Sequence, residues 1–311
     1  MAEAAAITTS APGSLMLLGE HAVLHGHHAL VAAINRRITV ELFETADETV
    51  EIISNLGSYK APLDELVEHP SFTFVLQAIQ QQRPRLPGGF KLKIESDFSA
   101  DIGFGSSAAV TVATHAALMD WTMAGEEPPK NALFKQSLET VRAVQGRGSG
   151  ADLAAAVFGG TVDYATEPSF DPVAVSVPLT AVYCGYKTPT PEVIQTVEQA
   201  RVADPTKFDR LYAEIDAGVV EAVACLRNHD FPGFGEILNR GQELMESMGV
   251  NTPELAEIVA ALQAEPDVFG AKISGSGLGD CAIGIGYAAL DGLDYPVHHL
   301  EITPAGIQYH E

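Results

Sequence analysis

A glycine and serine turn that runs straight into an apolar helix constrains this chain more than any other feature. The stretch IGFGSSAAV at 102–110 follows the alternating run FKLKIE at 90–95, and Ala, Val, Leu and Met then recur at helical spacing to about Met123. Gly125, Pro128 and Pro129 stop that helix, and a second is predicted near 132–144. Gly103 and Gly105 let the main chain approach a ligand closely, and Ser106 and Ser107 stand where free N–H groups and the helix dipole favour an anion. The pattern points to a phosphate-bearing ligand, with a serine hydroxyl in reach of Mg²⁺. An ordinary N-capped helix after a glycine turn looks the same locally, so the rest of the sequence must decide.

Charge restricts how such a phosphate is held. The 311 residues include 41 acidic against 18 basic side chains, a net charge of −23. Neither nucleic acid nor an anionic membrane is expected as a partner, and a phosphorylated ligand has to be gripped locally. With 46% apolar and 19% charged residues the chain reads as globular, and no stretch approaches 18 uninterrupted apolar residues. Cys184, Cys225 and Cys281 are far apart with no CxxC pair, and the start MAEAAAITTSAPG lacks the pattern of a secretory signal, so a cytoplasmic protein is expected.

Strand-like runs dominate the first half: SLMLL at 14–18, ITVELFE at 38–44, TVEIIS at 49–54 and FKLKIE. After Pro168 and Pro172 a strand pair is predicted at about 173–186, followed by helices to about residue 264 and strands at 269–274, 281–286 and 297–303. Blocks that do not strictly alternate predict an α+β fold in two domains, residues 1–170 and 171–311.

The turn also spells GxGxxA, with Asp120 at a suggestive distance for a dinucleotide fold, but Asp120 falls within or at the end of the helix rather than on a second strand. No GxxxxGK[ST] loop occurs. Three further segments carry chemistry. QGRGSGADLAAAVFGG at 145–160 presents Asp152 at the head of an Ala-rich helix beside Arg147, as a general base or as a first-turn acid on the helix dipole. ISGSGLGDCAIGIG at 273–286 sets Gly275, Gly277 and Gly279 between strands, as a ligand-closing loop or a plain hairpin. SAPGSLMLLGEHAVLHGHH at 10–28 places Glu20 and His21 after a strand; its four histidines carry no metal-site spacing, since Gly26 breaks the helical pairing.

Taken together, these segments resemble the GHMP small-molecule kinases, and most of all the members that phosphorylate mevalonate, in order and spacing across nearly the whole chain. The resemblance implies an N-terminal ribosomal S5-like domain and a C-terminal ferredoxin-like domain, with ATP and acceptor in the cleft between them. It implies that Asp152 acts on the acceptor hydroxyl and that Gly103, Phe104, Gly105, Ser106, Ser107 and Ala108 surround the triphosphate. Ser107 matches the serine that helps hold Mg²⁺. Glu20, His21, Gly275 and Ser276 fall on the acceptor side, as do Lys187 and Thr190 of GYKTPTPEVI at 185–194. The expected activity is ATP-dependent phosphorylation of the primary hydroxyl of mevalonate. A kinase for phosphomevalonate or another small hydroxylated metabolite is the alternative, as is a non-catalytic binding relative, and a homodimer is compatible.

Two positions depart from the family pattern. Ser14 stands where a lysine normally follows Ala-Pro-Gly, and Val141 where a metal-binding acid is usual, leaving Glu139 as the nearest carboxylate in sequence. Arg147, Lys187 and Lys272 could supply the missing cation, and Lys187 is favoured as the second catalytic group because its flexible stem can reach in from the other domain.

Overall fold

The computed structural model describes residues 7–100, 102–123, 125–165, 169–173 and 176–310. Two long apolar strands begin the chain, β1 (Ile7–Leu18) and β2 (Ala29–Glu44), paired antiparallel with register shifts at Pro12/Ser14 and Met16/Leu18. A proline inside a strand is tolerated at such an irregularity. The hairpin of β3 (Thr49–Ser54) and β4 (Gly57–Pro62) precedes helix α1 (Thr73–Gln82), and the crossover returns as β5 (Phe90–Ser96), parallel to β3.

Helix α2 (Ser106–Thr122) follows, and every residue from 108 to 120 except Val110 is buried. A helix apolar on all sides belongs in the middle of a domain. Its alanines bring α3 (Lys130–Gln145) and α4 (Ala151–Phe158) close. His115 pins the group, bonded through Nε2 to Thr140 Oγ1 at 2.7 Å and through Nδ1 to Gln82 Nε2 at 3.2 Å. Burial pushes its pKa down to about 3, so the ring is neutral.

β6 (Thr161–Ala165) pairs with the first residues of β2 and with β7 (Ser169–Val173). Then β8 (Pro178–Tyr183) opens a second, four-stranded sheet. The strand pair predicted at about 173–186 is therefore not a hairpin: β7 and β8 lie in different sheets. The middle of β8 is buried throughout, and it takes neighbours on both edges rather than one. Parts of the predicted boundary, 166–168 with Pro168 and 174–175, lie outside the described residues.

Helices α5 (Thr190–Ala203), α6 (Pro205–Arg227), α7 (Phe231–Met248) and α8 (Pro253–Ala264) come next, then β9 (Val268–Ser274), β10 (Cys281–Gly286) and β11 (Val297–Glu301), which complete the order β11-β8-β10-β9. The chain then returns to the first sheet, where β12 (Gln308–His310) pairs with β1. The two crossings between sheets lie side by side. Ile302 N–H donates to Val177 O at 3.3 Å and Thr303 N–H to Ala33 O at 2.9 Å. No helix among the described residues is long and apolar enough to cross a membrane.

Candidate active site

One cleft between the sheets collects most of the residues singled out in the sequence. Gly103, Gly105, Ser106, Ser107, Ala108, Glu20, His21 and Asp152 line it from the first sheet and its helices, and Lys187, Thr190, Gly275 and Ser276 from the second. Gly105 forms the turn into α2 at φ +66°, in the left-handed region, and the first helical bond closes from Ala109 N–H to its carbonyl at 3.0 Å. The preceding N–H groups of the α2 first turn have no helical partner and open on the cleft, a ready anion site.

Gly103 and Gly105 are glycines for steric reasons as well. A Cβ on Gly105 would lie 2.1 Å from Ser14 Oγ, and one on Gly103 would lie 2.1 Å from Asp280 Oδ1. The turn is thus pressed against β1 on one side and the 275–280 loop on the other.

Asp152 heads α4 just after Gly150, whose φ of +94° aims the helix at the cleft. Ser14 Oγ donates to Asp152 Oδ1 at 2.7 Å. Desolvation raises the Asp152 carboxyl pKa, opposed by the Ser14 hydrogen bond and the nearby Lys187 ammonium and reinforced by Asp280. Lys187 Nζ lies 3.0 Å from Asp280 Oδ2. Asp280 also lines the cleft, although the sequence reading passes over it among glycines.

In the same cleft, Glu20 is 4% exposed and ion-paired with Lys272, which is 1% exposed. Burial raises the pKa of Glu20 and lowers that of Lys272, each opposed by its partner's charge. Lys272 is therefore committed. His21, at φ +60°, donates from Nε2 to Ser276 O at 2.9 Å, a bond that ties the loop after β1 to the 275–280 loop. Burial lowers its pKa, which keeps the ring neutral and leaves Nδ1 as an acceptor. Arg147 lines the mouth, exposed, and Val23, Leu24, Pro191 and Ile194 supply an apolar wall.

Two expected residues are not in the cleft. Phe104 is 1% exposed in the core, with its ring against Phe98 and His298; only its carbonyl serves the site, accepting Ser14 N–H at 3.0 Å. Glu139 is exposed on α3. Val141 faces the cleft, and two residues along a helix turn a side chain about 200° away, so Glu139 points elsewhere.

No group of three His, Cys, Asp or Glu side chains among the described residues is arranged to hold a metal ion alone. The cleft offers separate oxygens instead: the Ser107 hydroxyl and the Asp152 carboxylate. That donor set suits a hard cation that shares its coordination with phosphate oxygens and water.

The fold and cleft define a small-molecule kinase. Residues 71–160 match the family model for the GHMP kinases N terminal domain and residues 222–290 that for GHMP kinases C terminal, with the galactokinase galactose-binding signature matched over 2–42. The chain belongs to the GHMP kinase family and is an ATP-dependent kinase. In sequence it is similar to the mevalonate kinase of Archaeoglobus fulgidus, 34% identical over 89% of this chain and 91% of the relative. The mevalonate kinase of Aeropyrum pernix is 30% identical over 90% and 88%. The crystal structure of Methanococcus jannaschii mevalonate kinase shares the fold, with TM-score 0.82 at 24% identity over 95% of this chain and 98% of that one.

Proposed function

We propose that this enzyme transfers the γ-phosphoryl group of ATP to the primary hydroxyl of mevalonate, with Mg²⁺. The observation that carries the reading is Asp152: a carboxylate with a raised pKa at a helix head, bonded to Ser14 and within the field of Lys187, in the same cleft as the anion-binding turn. The first sheet and its helices carry the nucleotide side together with Glu20, His21 and Arg147, and the excursion through the second sheet brings Lys187, Thr190 and the 275–280 loop to the acceptor. The α2 turn binds the triphosphate through backbone N–H groups, and the Ser107 hydroxyl holds Mg²⁺ together with phosphate oxygens. The cation neutralises charge on the β- and γ-phosphates when bound.

Asp152 orients the acceptor hydroxyl and takes its proton as the oxygen attacks, while the bridging oxygen leaves with ADP. Lys187 stands in for the family lysine that Ser14 replaces; it keeps Asp152 ionised and faces the migrating phosphoryl group. The apolar wall accommodates a methyl-bearing carbon chain, and His21 Nδ1 and Arg147 are free to meet its hydroxyl and carboxylate.

A sugar acceptor is the second reading, favoured by the galactokinase signature over 2–42. Measurement of ADP release with mevalonate, phosphomevalonate and galactose tests both. Turnover on mevalonate at least tenfold above the others is expected. Preference for galactose or phosphomevalonate overturns the acceptor, and nucleotide binding with no turnover on any of them favours a binding protein.

A further inference from the structure

We propose that Asp280 is a positioning residue: it holds Lys187 toward Asp152, so that the 275–280 loop, besides lining the cleft, places a cation in the absence of the family lysine at Ser14. The inference deepens the kinase reading above and rests on it.

The backbone at Asp280 is the first sign. Its φ is +75°, a conformation that glycine adopts freely and that Gly275, Gly277 and Gly279 beside it adopt as well. Leu278 in the same loop shares that region at φ +55°, and aspartate tolerates it better than most residues, so a carboxylate can be carried there.

Asp280 then grips the segment that carries the lysine at three points. Its carbonyl accepts Cys184 N–H at 2.9 Å, its N–H donates to Tyr186 O at 2.8 Å, and Oδ2 pairs with Lys187 Nζ at 3.0 Å. Thr188 Oγ1 donates to Leu278 O just beyond, so both sides of Lys187 are tied to the same loop. A lysine has a long flexible stem and would otherwise sample many rotamers at a cleft mouth, where this one is 37% exposed.

The remaining oxygen completes the geometry. Oδ1 is buried without a hydrogen-bond partner and lies over Gly103, where any side chain would collide with it. The carboxylate therefore stands between the phosphate-side turn and Lys187. Asp152 lines the same cleft as Lys187 and Asp280.

Asp280→Asn removes the charge and suits the left-handed backbone; Asp280→Gly removes the side chain without strain and serves if the first variant folds poorly. At saturating ATP and acceptor, either is expected to lower kcat by about tenfold to a hundredfold, the usual scale for a misplaced group, with the KM for ATP within about twofold of normal. Lys187→Met is expected to lose a similar factor, and the Lys187→Met/Asp280→Asn double variant to be no worse than Lys187→Met alone. Acetylation by acetic anhydride, read by mass spectrometry, supplies a measure independent of turnover: Lys187 is expected to label several-fold faster in Asp280→Asn, with other exposed lysines unchanged.

Normal kcat in a folded Asp280→Asn, multiplied losses in the double variant, or unchanged Lys187 labelling each overturns the positioning role while leaving the kinase reading intact. Full activity of Lys187→Met overturns the lysine's role and this proposal with it. An enzyme inactive on every acceptor overturns the proposed function, and the labelling result still decides the Asp280 contact.

Discussion

Replacing Ser14 by alanine isolates one bond to the proposed base. Ser14 is 1% exposed, and its hydroxyl donates to Asp152 Oδ1 at 2.7 Å, while its N–H remains bonded to Phe104 O in either variant. A hydrogen bond to a charged acceptor contributes about 1.5–3 kcal/mol, and 1.36 kcal/mol corresponds to one pKa unit. Asp152 opens partly on the cleft, so the lower end applies, a rise of roughly one unit. The sign follows from the state that is stabilised: the bond favours the carboxylate, so its loss raises an already raised pKa. Because the base must be ionised, the acid limb of kcat/KM should move up by about one pH unit, with the high-pH plateau changed far less. Continuous ADP-release assays from pH 5 to 9 measure it. An acid limb that stays in place, with activity lost equally at every pH, refutes the role of Ser14 in holding Asp152 ionised.

Three other outcomes follow from the same geometry. Asp152→Asn should lower kcat by about 10²-fold or more with ATP binding retained, and should also raise the melting temperature at neutral pH. A carboxyl with a raised pKa favours the fold below its ordinary value and works against it above, so removing the charge relieves that cost; a melting temperature that falls contradicts the desolvation argument. In Gly105→Val the φ of +66° and the 2.1 Å approach to Ser14 Oγ add strain of about 1–3 kcal/mol, so thermal melting should drop together with ATP affinity in calorimetry. Lys272→Met leaves Glu20 buried and uncompensated, costing about 3–5 kcal/mol in denaturant titration, and adding Glu20→Gln should recover most of that; no recovery means the pair is not the source.

The glycine turns and the acid at a helix head were legible because each sets its own backbone. Gly105 and Gly150 have φ values open to glycine, and the residues after them begin helices. What sequence spacing could not supply was direction. Glu139 is close to Val141 in sequence yet on another face of α3, and Phe104 lies inside a phosphate-side turn but turns its ring into the core. Asp280 was hidden because a lone acid among glycines looks like loop solvation; the signal for it was an acid at a position where the surrounding glycines predict positive φ. Helix α1 went unread because TFVLQAIQQQ lacks a strong start and stop, and its burial arises from packing on α2 and α3. The partners of β7 and β8 are likewise set by tertiary pairing, which no local pattern encodes.

The paired crossings between the sheets make residues 178–301 a closed excursion from the first sheet, leaving beside Val177 and rejoining at Ile302, two residues joined by a hydrogen bond. A segment whose ends touch behaves as a cassette. It can be exchanged for a counterpart of different length without rethreading the larger sheet, because β12 still finds β1 by the same short path. The cassette contains Lys187, Thr190 and the 275–280 loop, while the 102–110 turn, Asp152, Glu20, His21 and Arg147 stay in the host. This part of the cleft lining can thus be regrafted as one contiguous piece of chain, while the lining contributed by the first sheet and its helices is left in place.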